Sequence, residues 1–509
     1  MNHRRRPLVV SAIGGCAAAA CLFLIAPAAA AESEFCFTTR GLSDFNGDGY
    51  DDAAVGDPYA TVNGQAGAGA VTVLFGDDDG RIGEGERTVI TQASFGESPE
   101  AGDHFGWDVA LAPAGLGTDC ADLLVGSPGE DVGGAVDAGV AHLIRDLPNT
   151  EGTPELEAFV LTQDDAGGDV EAGDELGYTV AIGGALQEDG YRLVVGAPGE
   201  SSGTTADVGA VNVWNLDLEP NGYTELRQGR MMPGGVRVPG TPRAGDRFGA
   251  ALVMGSMDLP EREGDEIAQG LIIGAPGDTV AGHDAAGSVT LVQESFHSAS
   301  LISQDSARVP GSAETGDQFG ASLALSAFVR NQPSLLAVGS PGEDVEGVRD
   351  TGSVTLFTNT SERFVPRTGF SQATDGVPGA NEAGDRFGAS LAFGHRALTL
   401  MIGIPTEDIG SATDAGAVQP VRVPGPQLPL KFLPSITEST SGTVGAVGTG
   451  HQFGRSLGAL TGQSENILTI SSVFTAADSV YVLSDVTNIF PRSWLAGPGG
   501  ARFGWAVSN

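Results

Sequence analysis

Residues 44–58 read DFNGDGYDDAAVGDP, an acidic loop that runs straight into a strand ending at Gly56-Asp57-Pro58. Asp44, Asn46, Asp48 and Asp52 fall at loop positions 1, 3, 5 and 9, with Gly49 at position 6. Oxygen-bearing side chains on alternate residues of a tight turn converge on one point, which suits a hard cation such as Ca²⁺. Gly49 permits the sharp turn, and the backbone carbonyl of Tyr50 at position 7 adds a further oxygen. An EF-hand would place a bidentate Glu at position 12, but Val55 stands there inside an apolar run. The loop therefore feeds a strand and not a helix.

The end of this stretch recurs along the chain. Gly126-Ser127-Pro128, Gly196-Ala197-Pro198, Gly274-Ala275-Pro276, Gly339-Ser340-Pro341 and Gly403-Ile404-Pro405 each follow a short apolar run. Ahead of them stand GDHFG, GDELG, GDRFG, GDQFG and GDRFG, starting at Gly102, Gly173, Gly245, Gly316 and Gly384. Looser copies start at Gly450 (GHQFG) and Gly500 (GARFG). In the first complete repeat, residues 105–112, 121–126, 139–144 and 159–163 read as strands separated by Gly, Pro and Asp turns. Four short antiparallel strands per repeat make one propeller blade, which its neighbours must cover.

The FG signature occurs seven times, with Leu176 as its one variant. The chain stops at FGWAVSN, residues 503–509, one strand into a repeat, whereas residues 41–58 begin with the loop and a second strand. The expectation is an all-β, seven-bladed β-propeller of four-stranded antiparallel blades. Pairing of the C-terminal strand with the N-terminal blade closes it and removes both free sheet edges.

These signatures resemble the FG-GAP repeats of integrin α-chain propellers and of bacterial secreted FG-GAP proteins, over essentially all of 41–509. The resemblance implies Ca²⁺ in the loop between strands one and two of certain blades. Its ligand positions fall on Asp44, Asn46, Asp48, Tyr50 and Asp52. Corresponding loops around Asp119–Asp122, Glu188–Tyr191 and Glu261–Glu266 lack the alternating oxygens, so one site is expected.

Composition supports a secreted binding protein. With 41% hydrophobic residues the chain can bury a core despite a formal charge of −39. Nucleic acid is excluded as a partner by the lack of a basic patch, Lys431 being the only lysine. Residues 1–31 read as a secretory signal: Arg4–Arg6, then an apolar run, then APAAAA at 26–31. Residues 32–40 are a lead-in and 41–509 the propeller, with no later run long enough to span a bilayer. Beyond the leader only Cys36 and Cys120 remain, and in an oxidising compartment a disulfide between them is expected.

A second acidic pattern occupies the loops between strands two and three. PGEDVGGAVDAG (128–139), PGEDVEGVRDTG (341–352) and PTEDIGSATDAG (405–416) share a Glu-Asp pair followed by a later Asp. These are Glu130, Asp131 and Asp137; Glu343, Asp344 and Asp350; Glu407, Asp408 and Asp414. Rotation between blades would gather them into a ring of carboxylates on the face opposite the calcium loop. In the integrin family the face carrying these loops recognises ligands. No catalytic residues are assigned: Gly454-Arg455-Ser456-Leu457-Gly458 matches a nucleophile elbow, but the same place in other repeats reads GASLA. The expectation is a secreted, monomeric recognition or adhesion scaffold for an extracellular protein or carbohydrate. A secreted hydrolase or lyase working at the propeller axis is the alternative.

Overall fold

The structure, a computed structural model, describes residues 43–78, 82–111, 120–147, 155–166, 169–184, 191–216, 220–256, 269–293, 296–326, 333–360, 363–394, 398–424, 429–440, 446–460, 467–472, 479–483, 491–496 and 506–507. The expected leader, the lead-in and Cys36 lie outside these. Among the described residues no helix is long and apolar enough to cross a membrane.

Each run of turn-punctuated apolar sequence becomes a short strand. The first three are β1 (Ala53–Asp57), β2 (Ala70–Gly76) and β3 (Ile82–Ile90). A first set of four follows: β4 (Val109–Leu111), β5 (Leu123–Ser127), β6 (Val140–Leu147) and β7 (Glu155–Leu161). Next come β8 (Thr179–Gly184), β9 (Tyr191–Ala197), β10 (Ala210–Leu216) and β11 (Pro220–Leu226). Then follow β12 (Ala251–Ser256), β13 (Gln269–Ala275), β14 (Ser288–Gln293) and β15 (Ala299–Ile302). The fourth set is β16 (Ser322–Leu325), β17 (Leu335–Ser340), β18 (Ser353–Asn359) and β19 (Phe364–Phe370). The fifth is β20 (Ser390–Gly394), β21 (Thr399–Ile404), β22 (Ala417–Arg422) and β23 (Lys431–Phe432). The last is β24 (Leu457–Leu460), β25 (Ile467–Ser472), β26 (Ser479–Leu483) and β27 (Pro491–Ala496), before a final β28 (Ala506–Val507).

Every set forms an antiparallel four-stranded sheet in simple meander order. The expectation of a seven-bladed propeller is corrected here. Six blades are continuous runs of four consecutive strands, and no seventh of that kind exists among the described residues. The remaining strands form a composite sheet, ordered β28-β1-β2-β3, in which Val55 faces Val507 and Gly56 faces Ala506. β28 also touches β24 on one side and β4 on the other, so the first strands of successive sheets meet all the way round.

The core lies between sheets. Val71, Val73, Phe105, Val109, Leu123 and Val125 fill the gap between the composite sheet and β4–β7, and equivalent clusters fill the next gaps. The second strands β1, β5, β17 and β21 are buried along their whole length, so they read as continuous apolar runs and not as alternating ones.

A second correction concerns the FG signature. Residues 105–112 were expected to form one strand, but β4 covers only Val109–Leu111. Gly106 has a φ of 88°, and Trp107 N–H donates to the His104 carbonyl at 3.0 Å, so Phe105–Trp107 is a turn. Its purpose is close approach. A Cβ on Gly56 would stand 2.1 Å from the Gly106 carbonyl oxygen, so only glycine lets the two backbones touch there.

Candidate functional site

The calcium loop is built around two buried carboxylates. Asp44 is 2% exposed and Asp52 fully buried. Asp44 accepts from the N–H groups of Gly47 (2.7 Å), Gly49 (2.7 Å) and Asp48 (3.1 Å), which curls the loop around its first residue. Asp52 accepts from Phe45 N–H at 2.7 Å and Gly76 N–H at 2.9 Å, tying the loop to the end of β2. Asn46 and Asp48 sit at the outer edge, joined at 2.9 Å by Asn46 Nδ2. Tyr50 points outward, 37% exposed.

Burial pushes the Asp52 carboxyl up to about 8, and the nearby Asp48 and Asp44 carboxylates push it further in the same direction. Asp44 is raised by burial first and by Asp48 second. The charged groups acting on these two acids are thus other acids, and the donor set is all oxygen, so the residues fit a hard divalent cation. Asp44, Asp48 and Asp52 do not bring three carboxylate oxygens within 4.8 Å of one another. Among the described residues, the trio of acids with oxygens within 4.8 Å of one another is Glu171, Asp174 and Glu200.

The two-to-three loops resolve into two jobs. Asp131 accepts from Asp137 N–H (3.0 Å), Asp344 from Asp350 N–H (2.8 Å) and Asp408 from Asp414 N–H (2.9 Å). The later Asp in each loop has a φ near +50°, a strained turn conformation that Asp tolerates better than most residues. Asp131, Asp344 and Asp408 remain exposed at the hairpin tips.

The glutamates do not point outward with them, which corrects the expected carboxylate ring. Glu130 accepts from Gln92 Nε2 at 2.7 Å, Glu407 from Gln372 Nε2 at 2.6 Å, and Glu343 from Gln304 Nε2. Each Gln closes the preceding sheet and each Glu belongs to the next, so the bond is a latch between blades. Gln163 and Glu200 form another, at 2.5 Å. Burial pushes Glu130, Glu200, Glu343 and Glu407 up to about 7, and for Glu130 and Glu343 the largest neighbouring charge is the Asp of the GDxFG signature. Sequence reasoning passed over the Gln, although its signal was present: ITQ, LTQ, LRQ, ISQ and FSQ end the fourth strands at Gln92, Gln163, Gln228, Gln304 and Gln372. At the sixth such place stands Glu438, 2.6 Å from His451 Nδ1.

A Ser-His-Glu line also escaped notice. Ser127 Oγ lies 3.4 Å from His142 Nδ1, and His142 Nε2 lies 2.9 Å from Glu97 Oε2. Ser127 and His142 are fully buried, and the imidazole packs 5.4 Å from both Phe95 and Phe105. A substrate cannot reach that hydroxyl, so the line serves as packing between the first two sheets. Cys120 is 8% exposed and carries no free thiol; its expected partner Cys36 lies outside the described residues.

The loop, β1 and most of β2 form an FG-GAP repeat, whose family model matches residues 41–74. Among solved structures, the Pseudomonas aeruginosa periplasmic gluconolactonase PpgL is 14% identical with a TM-score of 0.45, covering 89% of this chain and 98% of that one. The structure of U3-55K is 14% identical with a TM-score of 0.38, covering 79% and 84%. No curated protein matches the sequence. At such identities a shared fold does not transfer a function.

Proposed function

We propose that this β-propeller is a secreted protein that holds Ca²⁺ in the Asp44–Asp52 loop and acts as an extracellular recognition scaffold. Asp44, Asn46, Asp48, Asp52 and the Tyr50 carbonyl would hold the ion. It would supply the positive charge that two buried carboxylates lack. The observation that carries the recognition reading is the repeated hairpin tip. An exposed Asp131, Asp344 or Asp408 is held by a hydrogen bond within its own turn, above a Glu latched to the neighbouring blade. Rigid, repeated carboxylates at one end of the strands suit a cationic patch on an extracellular protein or glycan. A Cys36–Cys120 disulfide would close a long loop and stabilise by about 4–5 kcal/mol on the chain-entropy account.

The test is pull-down of the mature protein against envelope and matrix fractions, comparing native protein with Asp131→Asn, Asp344→Asn, Asp408→Asn combined. Capture should fall with the triple variant, and unchanged capture would defeat the reading. In parallel, thermal melting should shift downward on adding a chelator and recover with Ca²⁺. A melt indifferent to chelator would remove the metal from the account.

A further inference from the structure

The segment leaving β11 breaks the pattern of its counterparts. Gln304 and Gln372 are each followed by a glycine seven residues on, Gly311 and Gly379, whereas Gln228 reaches Gly240 after twelve. The three glycines correspond: a Cβ would stand 3.1, 3.0 and 2.7 Å from the Nε2 of Gln304, Gln372 and Gln228 respectively. The added residues fold into a small hairpin bridged between Met231 and Arg237. Beneath it the usual latch Glu is replaced by Asp278, and Gln228 Nε2 stands 3.4 Å from its carboxylate. The loosened latch and the hairpin border a cavity lined in part by Arg227, Gln228, Arg230 and Arg237.

The hairpin is pinned from below. Met232 and Val238 are buried in the core between β8–β11 and β12–β15, and Met232 N–H donates to the Val236 carbonyl at 2.8 Å. Side chains alternate along an extended arm, so burying Met232 turns Met231 outward, 56% exposed, across from Arg237 on the other arm. Residues 227–243 contain four arginines and no acid, in a chain with 26 cationic and 65 acidic residues. Arg230 meets Glu225 at 2.9 Å with 58% of its side chain exposed. Arg237 is exposed; one of its nitrogens donates to the Gly229 carbonyl, and it is in no ion pair among the described residues. The hairpin thus presents two guanidiniums around an uncovered methionine.

The 131–137 tip presents the opposite charges around an uncovered valine. Asp131 and Asp137 are exposed and in no ion pair among the described residues, and Val136 beside them is 55% exposed. This tip is also fixed, since Gly173 N–H donates to the Val136 carbonyl at 2.9 Å. The other two tips differ. Arg349 pairs with Asp350 at 3.4 Å in one, and residues 408–414 expose no large apolar side chain in the other. Five large apolar side chains are exposed among the described residues; Tyr50 lies in the calcium loop and Val89 and Val160 within β3 and β7. Met231 and Val136 are the remaining two. Their hairpins stand at the same end of the sheets: the 128–139 loop opens β6, and the inserted hairpin leaves β11 at Leu226, which pairs with Val211 at the opening of β10.

We infer that this end of the propeller is a self-association surface. The Arg230–Met231–Arg237 hairpin of one copy seats on the Asp131–Val136–Asp137 tip of a second, guanidinium to carboxylate and methionine to valine. Because both patches share one end, a two-fold axis makes the same contact twice. Two small rigid patches bury little area, so the pairing is reversible and concentration-dependent. This names a second copy as the partner of one acidic tip and so rests on the recognition reading above.

Sedimentation of the purified mature chain in Ca²⁺ buffer, from about 1 to about 200 µM, tests this. The average mass should rise with concentration toward twice that of one chain. Arg237→Asp and Val136→Arg should each weaken association by about tenfold or more and melt as the native protein does. Arg349 fills the place of Val136 in the 341–352 tip, so the fold accepts that side chain. Mixing the two variants should restore pairing, since the new Asp then faces the new Arg and the native halves face each other. A native chain that stays monomeric, variants that associate fully, or a mixture that stays apart would overturn the inference. Arg237→Asp keeps all three tip aspartates, so its capture by envelope and matrix fractions should persist. A monomeric native chain with capture intact would sink the pairing alone, and lost capture in the triple Asp variant's favour remains the separate measure of recognition.

Discussion

Phe319 shows what the FG signature does at the scale of one residue. Its ring is fully buried, and its N–H donates at 3.0 Å to the Ala286 carbonyl of the preceding sheet. Beside that bond, Gly287 has a φ of 85°, and a Cβ there would stand 2.3 Å from the Phe319 carbonyl oxygen. The signature is therefore half of a contact whose other half is the glycine that opens the third strand of the neighbouring blade. Leu176, equally buried, shows that apolar bulk and not aromatic character is required. Phe319→Ala should cost about 3–5 kcal/mol in urea unfolding. Gly287→Ala should cost more than about 1 kcal/mol, since the conformation and the space both exclude a methyl group. A loss below that for either would mean the contact is not where the stability lies. These residues were plain in the sequence as a repeating signature. Their role was misjudged because a glycine at φ near +90° turns the chain where alternation alone suggests a strand.

Between elements, the latches carry the argument. Glu343 and Glu407 meet a Gln from one side and the carboxylate of Asp317 or Asp385 from the other, with Glu314 and Asp344, or Glu382 and Asp408, close by. Their folded pKa of about 7 lies above the ordinary Glu value, so the folded state holds protons that the unfolded chain releases. Asp174, Asp246, Asp317 and Asp385 are raised in the same way, to about 6. The resulting stability is fully present below the unfolded carboxylate range and is lost as pH rises through about 6 to 7. Melting in Ca²⁺ buffer should therefore be higher at mildly acidic than at mildly alkaline pH. Glu343→Gln with Glu407→Gln should flatten that slope. General charge repulsion acts in the same direction but is hardly altered by two substitutions, so an unchanged slope would assign the effect to net charge instead. The sequence displayed these acids as exposed-looking PGED and PTED loops. It displayed the Gln too, but nothing local says that residues 35 to 39 positions apart will face each other across two sheets.

For the whole molecule, the decisive contact is the smallest. β28 supplies two residues to the edge of β1, and with them it bridges β24 and β4. Removing residues 506–509 should leave the Val55 edge unpaired, lower the melting temperature and raise self-association by light scattering. A truncated chain that melts and scatters like the native one would show that the composite sheet does not need its fourth strand.

By itself the sequence established a repeating all-β chain, its four-strand unit and the acidic loop ahead of β1. Strand, turn and glycine preferences act over a few residues and recur with the period, so repetition made them legible. The tertiary structure alone decided which acids face water and which face a glutamine. It also decided that an inserted hairpin turns one latch into an arginine-lined cavity. Those outcomes depend on side chains meeting across neighbouring blades, where burial and the next sheet's backbone, not the local residue pattern, choose the partner.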